Sequence, residues 1–88
     1  MTWNYRVLKT STTRNFENKL TKWDTYEFHE AYYDDNGKIV SITKNPIPPS
    51  GETLEELSST LEKYKEALSK PVIVEFKTPD GKIEYKDI

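Results

Sequence analysis

The only histidine of the chain, His29, lies between two carboxylates, Glu27 and Glu30. Imidazole and carboxylate groups together can bind a metal ion or transfer protons. Residues 25–33 alternate as a strand does, which places Glu27 on the same face as His29 and Glu30 on the opposite face. Two ligands fall short of the three or four that a protein metal site uses, so we predict no metal site and no cofactor.

The remaining residue types give no recognisable catalytic arrangement. As a general base, His29 would need a positioned partner and a pocket, and none of the serines lies in a nucleophile-elbow motif. The three glycines, Gly37, Gly51 and Gly81, each belong to a turn or a cap and form no phosphate-binding loop. We therefore predict that the protein is not an enzyme and has no catalytic residues.

Composition narrows the class of partner. The 88 residues carry 13 basic and 15 acidic side chains, a net charge of −2, and no cysteine. This charge argues against nucleic-acid binding, because neutralising phosphates requires an excess of Lys and Arg. The lack of cysteine fits a reducing compartment, and no apolar run is long enough for a signal peptide or a membrane span. We expect one domain, residues 1–88, in the cytoplasm and without a membrane partner.

Hydrophobic periodicity predicts the elements that position His29. Residues 3–8 alternate as a strand. Residues 25–33 and 38–43 form a second and third strand around Asn36-Gly37, a dipeptide typical of tight hairpin turns. The polar residues 9–24 are predicted to form a connecting loop that need not be fully ordered, with a helical turn where Phe16, Leu20 and Trp23 recur at helical spacing.

A helix and a second hairpin follow. The prolines of residues 45–51 predict an extended connector, and Thr53 and Glu56 fit a capping box at a helix start. Pro71 ends that helix. Its apolar side chains recur at spacings of three and four, namely Leu54, Leu57, Leu61, Tyr64 and Leu68.

Beyond the helix, residues 72–77 and 82–86 predict two strands joined by a turn at Pro79-Asp80-Gly81. The order of elements is strand, loop, hairpin, helix, hairpin. We therefore predict an α+β fold, in which one amphipathic helix packs on one face of a mainly antiparallel sheet of four to five strands.

The sheet face away from the helix is the predicted contact surface. If Tyr26, Phe28 and Tyr32 lie under the helix, then the outward side chains are Glu27, His29, Ala31 and Tyr33. The chain has six tyrosines, and tyrosine suits protein recognition because it offers a large contact area with few rotatable bonds. We predict that Glu27, His29 and Tyr33 form an interaction surface for another protein. An unpaired edge strand would also allow a homodimer.

An alternative reading uses the same residues differently. A small-ligand-binding or enzymatic domain would build its site around His29, between the sheet and residues 45–51. Glu27 and Tyr33 would then line the site with the imidazole. The sequence does not name the partner or the ligand in either case.

Four segments resemble a family of small uncharacterised bacterial proteins. They are WNYRV, HEAYYDDNGK, NPIPPSGETLEEL and ALSKPVI, and the family pattern covers most of residues 3–74. The chain departs from the pattern through its longer segment at 9–24 and through the extra hairpin after Val74. The family has no assigned activity, so the resemblance implies the fold and adds little about function.

Residues 26–74 are also similar to the small domain of HicB-type antitoxins. The likeness consists of a hairpin, a helix that begins with GETLEEL and a following strand. These antitoxins bind and block a toxin, so the resemblance implies an antitoxin-like or phage-encoded inhibitor that acts by protein–protein contact. It does not extend to a DNA-binding segment, so operator binding is not implied.

Overall fold

The computed structural model describes residues 2–88. Within that range a single helix, α1 (Leu54–Leu68), accompanies five strands that form one sheet. The strands are β1 (Thr2–Phe16), β2 (Lys19–Tyr33), β3 (Ile39–Ile42), β4 (Ile73–Lys77) and β5 (Ile83–Asp87). The prediction of an α+β fold with one helix is confirmed.

The sheet is mixed rather than antiparallel throughout. Its strand order is β3-β2-β1-β4-β5, and β4 runs parallel to β1, with Leu8 opposite Ile73 and Lys9 opposite Val74. The chain leaves β3 at one edge, forms α1 and returns on the far side of β1. Such a crossover through a helix makes β4 parallel to β3, the strand that the chain leaves, and therefore to β1. The other three pairings are antiparallel, so the sheet is mainly, but not wholly, antiparallel.

The predicted loop over residues 9–24 is wrong, because β1 and β2 continue through it as one hairpin. Their register runs without interruption from Thr2 opposite Tyr33 to Phe16 opposite Lys19. Glu17 and Asn18 form the turn with φ values of 49° and 65°. Two successive positive φ values suit a two-residue hairpin turn, because their twist matches that of the strands.

This hairpin extends well beyond the rest of the sheet. The radius of gyration is 15.4 Å and the longest dimension 48 Å, whereas a compact chain of this length has a radius of gyration of about 12 Å. β4 flanks β1 at Leu8 and Lys9, and β3 flanks β2 at residues 31–33. We call residues 10–27, which project past these neighbours, the arm.

The predicted hairpin around Asn36-Gly37 is confirmed with a wider turn. β2 and β3 pair antiparallel, with a register shift at Tyr33. The Asp34 carboxylate accepts hydrogen bonds from the amides of Asn36 and Lys38, both at 2.9 Å. Gly37 takes the positive φ of 80° that the turn needs.

The helix begins as predicted. The Thr53 hydroxyl accepts a hydrogen bond from the Glu56 amide at 3.1 Å, and the Glu56 carboxylate accepts one from the Glu52 amide at 2.8 Å. The carboxylate thus satisfies the amide one residue before the predicted one. α1 ends at Leu68, ahead of Pro71.

One ring anchors the helix to the sheet. Tyr64 is buried, with ring centroids 4.4 Å from Tyr5 and 4.5 Å from Phe28. Its hydroxyl donates to the Ile47 carbonyl at 2.7 Å, and burial raises the pKa of this phenol. The predicted apolar stripe is only partly covered, however, because Leu54, Leu61 and Leu68 remain exposed.

The sheet face opposite the helix is not open, because the sheet curls on that side. β3 and β5, the two edge strands, come into contact, and Lys38 lies 4.0 Å from Glu84 across the gap. In addition to the core around Tyr64 under the helix, a second core forms there from Leu8, Ala31 and Ile73. Four side chains pack around it, namely Tyr33, Ile39, Ile42 and Tyr85. The prediction of an outward-facing sheet surface at Ala31 and His29 is wrong.

A buried arginine ties the curled sheet together. The Arg6 guanidinium donates to the Tyr33 hydroxyl at 2.9 Å, to the Pro71 carbonyl at 2.8 Å and to the Asp87 carboxylate at 2.8 Å. Tyr33 in turn donates to Asn4 at 2.6 Å. These contacts join β1, β2, the segment after α1 and β5.

We expect Asp87→Asn to lower the free energy of unfolding by about 1–2 kcal/mol, because it removes the charged partner of a buried guanidinium. The loss stays below that of a fully buried pair because the Asp87 side chain is 54% exposed. Urea denaturation measures it. Glu62→Gln, in an exposed ion pair with Lys65, is the control and should cost under about 0.5 kcal/mol. Equal effects would contradict the role assigned to Arg6.

Candidate functional site

A cleft of about 390 Å³ opens beside the second core, between the curled halves of the sheet. Its volume falls in the lower part of the range for small-molecule pockets. Apolar side chains such as Leu8 and Ile42 form part of its lining. Its polar and aromatic wall residues include Glu27, His29, Thr43, Lys44, Glu75 and Tyr85.

The β2–β3 pairing fixes the imidazole of this cleft. His29 is only 4% exposed, and its Nδ1 lies 2.9 Å from the Thr43 carbonyl oxygen. A carbonyl can only accept, so Nδ1 carries a proton and donates it to Thr43. Thr43 is held in turn by Glu30, whose carbonyl accepts from the Thr43 amide at 3.0 Å.

Carboxylates give the cleft its charge. Glu27 lies on β2, and Glu75 lies on β4, on the other side of β1. Burial raises the pKa of the Tyr85 phenol, and the negative charge of Glu75 raises it further. With Lys44 as the cation of the wall, the cleft has an excess of negative charge and of hydrogen-bond acceptors. Such a lining suits a cationic group that donates hydrogen bonds.

The structure brings together two of the three predicted site residues. Glu27 and His29 lie on the cleft wall, next to the connector residues Lys44 and Pro46. Tyr33 is separate, because its hydroxyl is engaged with Arg6 and Asn4. The prediction that His29 faces solvent is wrong, since the curled sheet covers it. A role of Glu27, His29 and Tyr33 in contacting a partner stays a prediction.

The cleft does not have the ligands of a metal centre. Among residues 2–88, no three His, Asp or Glu side chains converge closely enough to hold a metal ion. The same part of the chain contains no helix with the length and apolarity needed to cross a bilayer.

The arm is a second candidate site, which the sequence reasoning missed. Phe16 is 65% exposed and Leu20 79% exposed near the turn, and Trp23 and Tyr26 are also exposed. The Arg14 guanidinium lies 5.6 Å from the centroid of the Trp23 ring. The run of β-branched threonines in β1 is the signal that favours a strand there.

The arm also has open backbone edges. The outer side of β2 is occupied at Phe28, whose carbonyl accepts from the Ile47 amide at 2.8 Å, and at Glu30. No strand within residues 2–88 pairs with β2 on that side from residue 19 to 27. Unpaired edges of this length are templates for strand addition.

Comparisons with known proteins found no match to this chain among protein-family models, curated proteins or solved structures. The two resemblances noted in the sequence therefore stay predictions.

Proposed function

We propose that the protein is a small protein-binding module of the cytoplasm, an antitoxin-like or phage-encoded inhibitor that acts by direct contact through its arm. The observation that carries the proposal is the exposure of Phe16, Leu20, Trp23 and Tyr26 on one projecting ribbon. Exposed apolar surface of this kind is typical of protein interaction sites.

The shape of the arm supports the same function. Each of its strands belongs to a 15-residue element, and only the base of each strand is flanked by the rest of the sheet. A two-stranded ribbon alone has little to stabilise it in water. A partner that covers its aromatic side chains or extends its edges would supply the missing burial and hydrogen bonds. The arm can therefore enter a groove or add strands to a neighbouring sheet.

The proposal moves the contact surface away from the His29 face. That face is covered by the curled sheet, whereas Phe16 and Leu20 at the arm tip are open. The exposed leucines of α1 are the other apolar surface on which a partner could bind. Separate variants distinguish these two surfaces.

We expect the double variant Phe16→Ser, Leu20→Ser to lose a partner that wild type captures from a lysate of the host organism, with recovery reduced at least about tenfold. Quantitative mass spectrometry of affinity captures measures recovery. The matched control is Leu54→Ser, Leu68→Ser, which removes exposed apolar side chains from α1 instead. Loss in the α1 variant with retention in the arm variant would contradict the proposal.

The cleft supports a second candidate function, the binding of a small ligand. The observation in its favour is that Glu27, His29 and Glu75 all line one cleft of about 390 Å³. The excess of carboxylate groups favours a primary amine of small size. In this case the arm would serve another purpose.

We expect 1,4-diaminobutane to shift the imidazole resonances of His29 in NMR titrations, and acetate to leave them unchanged. Glu75→Gln should weaken amine binding about tenfold, because it removes one charge-assisted hydrogen bond. Glu62→Gln on α1 removes a carboxylate far from the cleft and should have no effect. Equal binding of acetate, or no response to Glu75→Gln, would contradict this function.

A further inference from the structure

We propose that two copies of this chain pair through the outer edge of β2, residues 19–27, as antiparallel strands related by a two-fold axis at Trp23. The inference rests on the proposed function, in which the arm is the contact element, and it names a second copy as the partner of this edge.

The backbone of β2 offers the required hydrogen bonds. The Glu30 amide donates to the Thr43 hydroxyl, and the carbonyls of Glu30 and Phe28 accept from the connector on the outer side. Because this direction alternates along a strand, residues separated by two point the same way. The residues with outward amides and carbonyls are therefore Leu20, Lys22, Asp24 and Tyr26.

The side chains of this edge are complementary to those of the same edge in a second, antiparallel copy. A two-fold axis at Trp23 places Lys22 opposite Asp24 and Lys19 opposite Glu27 of the second copy. It also places Leu20 opposite Tyr26 and Thr21 opposite Thr25. Opposite charges, apolar pairs and threonine pairs directly across two strands all stabilise a sheet.

Among axes that fall on a residue, only the one at Trp23 sets opposite charges within residues 19–27 against each other. An axis at Lys22 would place Lys22 opposite its own copy, and an axis at Asp24 would do the same for Asp24. Like charges directly opposite each other destabilise a pair of strands. An axis midway between two residues would set outward backbone groups of one copy against inward ones of the other, so that the ladder could not form.

The length of the open edge agrees with the axis. Residues 19–27 lie between the turn and Phe28, where the connector already occupies the edge. Trp23 is the midpoint of this range. The turn of one copy therefore ends where the occupied edge of the other begins, and the two indole rings meet at the axis.

The Asp24 carboxyl of this edge is in the charged state that the pairing requires. Asp24 accepts a hydrogen bond from the Ser11 hydroxyl at 2.6 Å, which lowers the pKa of the carboxyl, and the charges of Lys9 and Lys22 lower it further. Asp24 is thus ionised at neutral pH. Lys9 lies 3.7 Å away on β1, so the carboxylate already has cations on its own chain and keeps its charge.

The other edge of the arm lacks this complementarity. On β1, residues 10–16 carry one charged side chain, Arg14. An axis at Thr13 would pair Arg14 with Thr12 and Phe16 with Thr10, without any opposite charges. The pattern therefore selects β2 rather than β1.

Disulfide trapping tests the register. Because the wild type has no cysteine, Trp23→Cys introduces a single thiol at the axis. Two copies of residue 23 would form a non-hydrogen-bonded pair with Cα atoms about 4.5 Å apart, within reach of a disulfide. We expect mild oxidation to convert this variant to a covalent dimer, whereas Thr13→Cys on the β1 edge stays monomeric.

Charge reversal tests the pairing without a cysteine. Lys22→Asp and Asp24→Lys each place like charges opposite one another twice, so each variant alone should have its dimer dissociation constant raised at least about tenfold. Mixing the two variants restores both opposite-charge pairs and should yield the heterodimer. Sedimentation equilibrium measures both states. Lys63→Asp on α1 is the matched control and should dimerise as wild type does.

Three outcomes would overturn the pairing. They are a wild type that stays monomeric up to about 1 mM, cross-linking at Thr13→Cys as fast as at Trp23→Cys, and a dimer that ignores the charge reversals. The proposed function fails separately, because it requires loss of a captured partner in the Phe16→Ser, Leu20→Ser variant. That variant leaves the Lys22–Asp24 pair intact but removes the Leu20–Tyr26 pair, so Phe16→Ser alone, which changes no residue of the β2 edge, distinguishes the two.

Discussion

The buried charge of Arg6 is the constraint on which the rest of the structure depends. Removing a guanidinium from water costs several kcal/mol, so its donors must meet acceptors inside the fold. The acceptors come from Tyr33, from the Pro71 carbonyl and from Asp87, which lie on different elements. The sheet curls far enough to bring all three acceptors to Arg6 on β1. Nε stays buried without a hydrogen-bond partner in the described chain, so the arrangement is specific rather than optimal.

The curl determines which surfaces remain available. It buries Ala31 and Ile73 on the face that an open sheet would expose. It also leaves His29 on the wall of a cleft instead of on an open surface. The arm takes no part in either core. Its side chains add little to the stability of the body, so they are free to contact another molecule. Three of the four exposed aromatic side chains, Phe16, Trp23 and Tyr26, lie in the arm.

The sequence predicted the elements whose signals are local. The cap at Thr53, the helix that ends before Pro71 and the hairpin around Gly37 follow from capping and turn chemistry. The sequence did not predict the arm, because hydrophobic alternation indicates a strand with one buried face, and the arm is exposed on both faces. The parallel pairing of β1 with β4 also escaped, since it depends on a crossover that no local pattern encodes. His29 was placed outward because nothing in the sequence shows that a carbonyl from Thr43 will satisfy it.

The order of the charges on the free edge of β2 determines whether that edge prevents association or permits it. Lysines on an edge strand commonly prevent association, because they cannot be buried against another strand without a partner. An edge that carries one sign of charge can only set like charges against each other when it meets its own copy. Here Lys19 and Lys22 precede Trp23 while Asp24 and Glu27 follow it, so reversal of direction exchanges the signs. The same residues that repel in neighbouring registers attract in one, which makes the edge selective for a single antiparallel pairing rather than closed to all.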